Sequence, residues 1–89
     1  MVRVICMRYK KEVWAHVNIP KEERVKRIRE LYDVLKEYPD VKYEGLWVDD
    51  KGRGICIWEA PNAQIVREIV ERIWKRPFPD LIIEVRRIQ

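Results

Sequence analysis

The sequence contains no serine and no threonine, and only two asparagines and two glutamines. An active site of the Ser-His-Asp kind is therefore excluded, because the chain has no serine or threonine to supply the hydroxyl nucleophile. Lysine, arginine, glutamate, isoleucine and valine fill the chain instead. This charge-rich, amide-poor composition is typical of hyperthermophile proteins, and an idealised designed sequence is the alternative.

Histidine and cysteine are scarce as well, with one of the former and two of the latter. Cys6 and Cys56 stand outside any C-x-x-C motif, which argues against a zinc site and a disulfide scaffold. We interpret both as small buried residues. His16 is the candidate metal ligand or general base, and its alternative interpretation is a loop histidine without a role. Dimerisation is the route that would bring two copies of His16 together.

Long apolar runs are missing, and none approaches the ~18 residues of a membrane span. The first ten residues carry charges where a signal peptide needs an apolar core. We therefore expect a cytoplasmic protein without a membrane partner. The 89 residues are too few for two separate cores, which predicts a single domain over 1–89. The net charge of +4 is only mildly basic, and it does not by itself predict nucleic-acid binding.

The hydrophobic pattern predicts four strands and two helices. Strands are expected at 2–9, 42–49, 54–59 and 81–88. A first helix is expected from Pro20 to Tyr38, and a second begins at 60–62 and carries an apolar stripe as far as Trp74. The segment 10–19 is interpreted as an ordered loop, and a strand-like excursion is the alternative. The order βαββαβ predicts an α+β, ferredoxin-like fold, in which an antiparallel sheet of order 4-1-3-2 carries both helices on one face.

Two helices cover one face of such a sheet, yet the strands carry apolar residues for both faces. The set that we assign to the other face is Ile5, Met7, Tyr43, Trp47, Ile55, Ile57, Ile82 and Ile88. So much apolar surface is unfavourable in water, and it predicts a homodimer that closes sheet against sheet into an α+β barrel.

Aromatic residues and carboxylates within the strands are the candidate ligand-binding groups. Those that we expect to line a cavity between the sheets are Tyr43, Trp47, Glu59 and Glu84. Core packing of the aromatic residues and solvated charge for the carboxylates are the alternatives. A basic strip on strands one and four is a further candidate anion site, and its members are Arg3, Arg8, Arg86 and Arg87. Solvated edge charge is the alternative there.

An RNA-recognition sheet would need stacking aromatic residues in strand three after Arg53-Gly54. Ile55 and Ile57 occupy those positions, which argues against nucleic-acid binding.

The hairpin from Trp47 to Pro61 reads W-x-D-x-x-G-x-x-x-C-x-x-E-A-P. It resembles the hairpin of a small uncharacterised family of ferredoxin-like, dimeric α+β-barrel proteins with nickel-binding-like members. The segment 80–85 is similar to the last strand of that family. The resemblance implies a dimer whose sheets enclose a cavity, and it implies no established reaction. Nickel binding would call for histidines, and this chain offers His16 alone.

Three functional hypotheses follow. The first is a dimeric domain that binds a small ligand or ion between its sheets, with no cofactor assigned. The second is a cofactor-free dimeric-barrel enzyme, of monooxygenase or isomerase type, with Glu84 or His16 as base. The third is a nucleic-acid or regulatory interaction module.

Overall fold

A computed structural model describes residues 1–10, 20–51, 53–73 and 79–89 of the chain. Its elements are β1 (Val2–Arg8), α1 (Lys21–Leu35), β2 (Lys42–Val48), β3 (Gly54–Ala60), α2 (Ala63–Ile73) and β4 (Leu81–Val85). The four strands form one antiparallel sheet of order β2-β3-β1-β4, which is the predicted order 4-1-3-2 seen from the other edge. The α+β, ferredoxin-like fold is therefore confirmed. In the part of the chain that the structure describes, neither helix has the length and apolar character of a membrane span.

The core lies between the two helices and one face of the sheet. Successive strand residues point to opposite faces, so alternate positions of β1 and β3 are buried against the helices. The buried apolar residues of this core are Val4, Cys6, Leu31, Val41, Cys56, Trp58, Ala60, Val66, Ile69 and Val70. Trp58 is the largest of them, and it lies at the centre of the face that the helices cover.

Helix α1 is shorter than predicted at both ends. Pro20 precedes the helix, and its carbonyl oxygen accepts the first helical hydrogen bond, from Arg24 N at 3.1 Å. At the other end, Tyr38 N donates to Leu35 O at 2.9 Å, and this i→i+3 bond tightens the chain into turns over 36–40 instead of continuing the helix. Tyr38 therefore lies outside α1 and still packs against the core.

Strand β4 ends at Val85 and not at Ile88. Val85 pairs with Arg3 of β1, which begins at Val2, so almost no partner strand remains for the residues that follow. Ile88 is consequently exposed. At the opposite end of β4, the Asp80 carboxylate accepts hydrogen bonds from the backbone N–H groups of Tyr9 (2.8 Å) and Lys10 (3.0 Å). These bonds fix the end of β1 beside the start of β4.

Candidate functional site

The sheet face opposite the helices, called the outer face below, is ordered in three rows that cross all four strands. Directly opposed residues of antiparallel strands share a face, so the pairing register gives the rows directly. The first row, from β2 to β4, is Trp47, Ile55, Met7 and Leu81. The second row is Gly45, Ile57, Ile5 and Ile83. The third row is Lys42, Glu59, Arg3 and Val85.

Two of the three rows of the outer face are apolar. Trp47 is 52% exposed and Leu81 is 40% exposed, and the isoleucines between them are half-buried. The third row concentrates charge at one end of the face, where Glu59 lies between Lys42 and Arg3. The guanidinium of Arg3 also lies 3.4 Å from the carboxylate of Glu44. The outer face is therefore apolar over two thirds of its length and ionic over the rest.

A β-bulge in β2 sets the position of Trp47 on this face. The pairing shifts between Tyr43 and Gly45, so Glu44 is the extra residue. Gly45 has φ +144°, a conformation that residues with a side chain rarely adopt. A Cβ atom placed on Gly45 would lie 3.3 Å from the Trp47 ring, so the indole ring lies over the glycine. The bulge at Gly45 was not predicted, although a glycine within a strand pattern is a known bulge signal.

The four predicted ligand-binding residues do not share a face. Trp47 and Glu59 lie on the outer face, whereas Tyr43 and Glu84 lie on the helix side. The assignment of Tyr43 to the same face as Trp47 was wrong, because the bulge between them reverses the alternation. Tyr43 instead packs edge-on against Trp58, with ring centroids 4.8 Å apart and an interplanar angle of 62°.

The assignment of Ile82 to the outer face was wrong as well. Ile82 pairs with Cys6, so it lies on the helix side and packs against the core, and Ile83 takes its place on the outer face. The cause is the register of β4, which the alternation within that strand does not reveal.

Glu84 is exposed on the helix side of the sheet, and its carboxylate makes a structural contact. Its Oε1 atom accepts a hydrogen bond from Ala63 N at 2.8 Å, at the first residue of α2. Asn62 Oδ1 accepts the N–H of Ile65 at 3.0 Å in the same turn. Two side chains therefore satisfy backbone donors at the start of α2, where a carboxylate is also favoured by the helix dipole.

The two thiols are buried and directly opposed across β1 and β3. Burial raises the pKa of Cys6 to about 12 and that of Cys56 to about 11. Burial therefore favours the protonated thiols at neutral pH, and it does not give either cysteine the lowered pKa of a thiolate nucleophile. The interpretation of these cysteines as small buried residues is confirmed.

The metal prediction on His16 lies outside the described residues. Within the ranges that the structure describes, no three or more histidine, cysteine, aspartate or glutamate side chains form a group that could hold a metal ion. The carboxylates of Glu44 and Glu59 on the outer face have cationic neighbours in Arg3 and Lys42. The described residues of the chain therefore do not fit a nickel site.

The predicted basic strip is divided between different parts of the molecule. Arg3 lies on the outer face, whereas Arg8 lies on the helix side and is only 5% exposed. Arg86 and Arg87 follow the end of β4 and are exposed. The four arginines therefore do not form one continuous surface.

A cavity of about 500 Å³ lies where β1 ends and the β2–β3 hairpin approaches it. Its lining residues are Met7, Arg8, Tyr9, Trp47, Val48, Asp49, Arg53, Gly54 and Ile55. Asp49 and Arg53 form an ion pair in this wall, with Arg53 Nε 2.6 Å from Asp49 Oδ2. No sequence motif marks this cavity, and the strand pattern of β1 alone predicted a surface position for Arg8.

Comparison with known proteins gives one family. Residues 11–85 match the family model described as "Nickel responsive protein SCO4226-like". No curated protein and no solved structure matches the chain. The match extends over most of the sequence and includes the hairpin on which the resemblance was based.

Proposed function

Since the chain belongs to the SCO4226-like family of nickel-responsive proteins, we propose that it is a small homodimeric domain that encloses a small ligand or ion. In this proposal two subunits pack outer face against outer face. The ligand lies between the sheets, next to the ionic row.

The two apolar rows of the outer face are the observation that supports this proposal. They extend across all four strands, from Trp47 on one edge to Leu81 on the other. Neighbouring strands lie about 4.8 Å apart, so each row is about 14 Å long. A continuous apolar band of this size on a sheet face is typical of a surface that another layer covers. A second copy is the partner that we choose, because one sheet face can pack isologously against itself.

The ligand groups that we propose are Glu59, which lies beside Arg3 in the ionic row, and Trp47, which lies two rows away on the same face. A molecule that extends across the second row can stack on the aromatic ring at one end and hydrogen-bond to the paired charges at the other. Nickel is not assigned to these residues, since the described part of one subunit does not fit it. A nickel site would need His16 together with donors from the second subunit.

A cofactor-free enzyme is the weaker alternative. Of its two candidate bases, His16 lies outside the described residues and Glu84 binds the first turn of α2. A location in the cytoplasm remains part of the proposal, because two unpaired buried thiols suit a reducing compartment.

The test compares two leucines on opposite faces of the sheet. Leu81 is 40% exposed on the outer face, and Leu46 is 44% exposed on the helix side, and both lie on edge strands. We expect sedimentation equilibrium to give a dimer for the wild type and for L46E, and a monomer for L81E. A wild-type monomer at micromolar concentration would refute the proposal, and so would equal dissociation of both variants.

A further inference from the structure

We propose that Cys6 and Cys56 form a redox site, in which a low-molecular-weight disulfide oxidises the two thiols to one disulfide bond within a subunit. The observation that supports this is their position. Cys6 of β1 and Cys56 of β3 are directly opposed partners in the antiparallel pairing of the two central strands. They are the only cysteines in the sequence, so each thiol has a single partner within its own subunit.

Directly opposed residues of antiparallel strands satisfy the geometry of a disulfide bond. Their Cα atoms lie about 4.5 or 5.5 Å apart, depending on the kind of pair, and their side chains leave the sheet on the same face. A disulfide bond joins residues whose Cα atoms are about 4.4–6.8 Å apart, so both kinds of pair fit. The two side chains also interact, since Cys56 contributes to the raised pKa of Cys6. The bond therefore needs no large movement of the strands.

The surroundings of the two cysteines favour this bond over other thiol chemistry. Cys6 and Cys56 are 1% and 2% exposed, in a row on the helix side that also contains Leu46 and Ile82. At that depth a thiol does not reach the surface of a second subunit, which opposes a bond between copies. A metal ion would need further donors, and the described ranges contain no group of three or more metal-ligating side chains. Two sulfur atoms are sufficient for a disulfide bond.

The reaction belongs to the folding or transiently opened chain, because burial raises the pKa of both thiols and excludes the oxidant. With glutathione disulfide as the oxidant, the thiolate of one cysteine attacks a glutathione sulfur atom and releases one glutathione. The second cysteine thiolate attacks the protein sulfur atom of this mixed disulfide and releases the other glutathione. The two thiol protons pass to the released glutathione thiolates. One S–S bond breaks, one forms, and two electrons pass to the oxidant.

The bond connects the central strands of the sheet and closes the long loop from Cys6 to Cys56, which contains α1 and β2. Closing a long loop removes conformational entropy from the unfolded chain, so the oxidised subunit is the more stable form. In a reducing compartment the two residues stay as thiols, which is the form in the structure. Because both lie on the helix side, this proposal does not depend on the dimer through the outer face.

The experiment is refolding of the reduced, urea-unfolded chain with either glutathione disulfide or reduced glutathione, followed by intact mass spectrometry and thermal unfolding. We expect the oxidised sample to lose two hydrogen atoms and to remain a single chain in nonreducing electrophoresis. It should melt at least about 10 °C above the reduced sample at the same protein concentration. An unchanged mass, a mass increased by glutathione, or a covalent dimer as the main product would overturn the proposal.

Variants separate the bond from other effects of the oxidant. C6A and C56A each keep one thiol, and the double variant C6A/C56A keeps none. We expect none of the three to melt higher in glutathione disulfide than in reduced glutathione, and an equal rise in the double variant would overturn the proposal.

Because a substitution in the core can prevent folding, the wild type decides independently. A phosphine reductant added to the oxidised wild type should return its melting temperature to that of the reduced sample. An oxidised wild type that melts at or below the reduced one would show that the sheet does not accommodate the bond.

Discussion

Replacement of Gly45 by alanine tests whether the bulge of β2 sets the shape of the outer face. Gly45 has φ +144°, and a residue with a side chain held there costs about 1–3 kcal/mol. Alanine also lowers the entropy of the unfolded chain, which offsets about 0.4–1 kcal/mol of that cost. We therefore expect G45A to lower the free energy of unfolding by about 1–2 kcal/mol.

The contact with Trp47 adds a smaller effect. The new Cβ would lie 3.3 Å from the ring of Trp47, which is half-exposed and free to turn away. The double variant G45A/W47A separates the two causes, since it removes the ring and keeps the backbone cost. We expect most of the loss to remain when the G45A effect is measured in the W47A background.

Thermal and urea unfolding at one fixed protein concentration measure this loss, because the proposed dimer would make the stability depend on protein concentration. A domain of this size shifts its melting temperature by about 4–8 °C for each kcal/mol, so G45A should melt about 5–15 °C lower. Tryptophan fluorescence should change with it, as the Trp47 ring moves. A neutral or stabilising G45A would refute the role of the bulge.

Three further predictions concern other described contacts. E84A removes the carboxylate that accepts Ala63 N and should cost about 1 kcal/mol in urea unfolding, whereas E84Q, which keeps an oxygen acceptor, should cost less. Cys6 and Cys56 should resist alkylation by iodoacetamide in the folded protein at pH 8 and react after unfolding, because burial raises both pKa values. Desolvation by itself would raise the pKa of the Asp80 carboxyl group. The hydrogen bonds that it accepts from the backbone N–H groups of Tyr9 and Lys10 have the larger combined effect, and they hold the pKa below the ordinary 3.8. The stability that Asp80 contributes is therefore complete above that pH and lost as the pH falls below it, so wild type and D80A should converge in acid.

The sequence predicted the fold because the hydrophobic alternation of the central strands is unambiguous. Ile5 and Met7 on β1, and Ile55 and Ile57 on β3, lie on the outer face as the alternation requires. The apolar stripe of α2 also predicted its buried residues correctly. These elements obey a fixed period from end to end, so local pattern and tertiary structure agree.

The candidate site was harder to predict because it depends on departures from that period. One extra residue in β2 moved Tyr43 to the other face, and the register of β4 moved Ile82. Glu84 reads as a strand carboxylate, and only its contact with Ala63 identifies it as a helix-capping group. Arg8 likewise follows a β-strand pattern, and its burial depends on elements that lie far from it in sequence.

The third row of the outer face constrains the symmetry of any dimer that buries it. Two sheets that meet face to face can be related by a two-fold axis parallel to the strands or perpendicular to them within the interface. The parallel axis places β1 of one subunit over β3 of the other, because these two strands occupy the centre of the sheet. With the parallel axis, Glu59 of each subunit therefore faces Arg3 of the other. The perpendicular axis instead places the charged row of one subunit over an apolar row of the other.

Charge complementarity therefore favours the parallel axis. With that axis, charge substitutions at Arg3 and Glu59 decide which subunits pair with each other. In that arrangement R3E makes both facing positions acidic, and E59R makes both basic, so each variant repels its own copy. A mixture of the two restores opposite charges at both crossings. Native mass spectrometry should then detect mainly the heterodimer. A purely statistical mixture of homodimers and heterodimers would instead indicate the two-fold axis that is perpendicular to the strands.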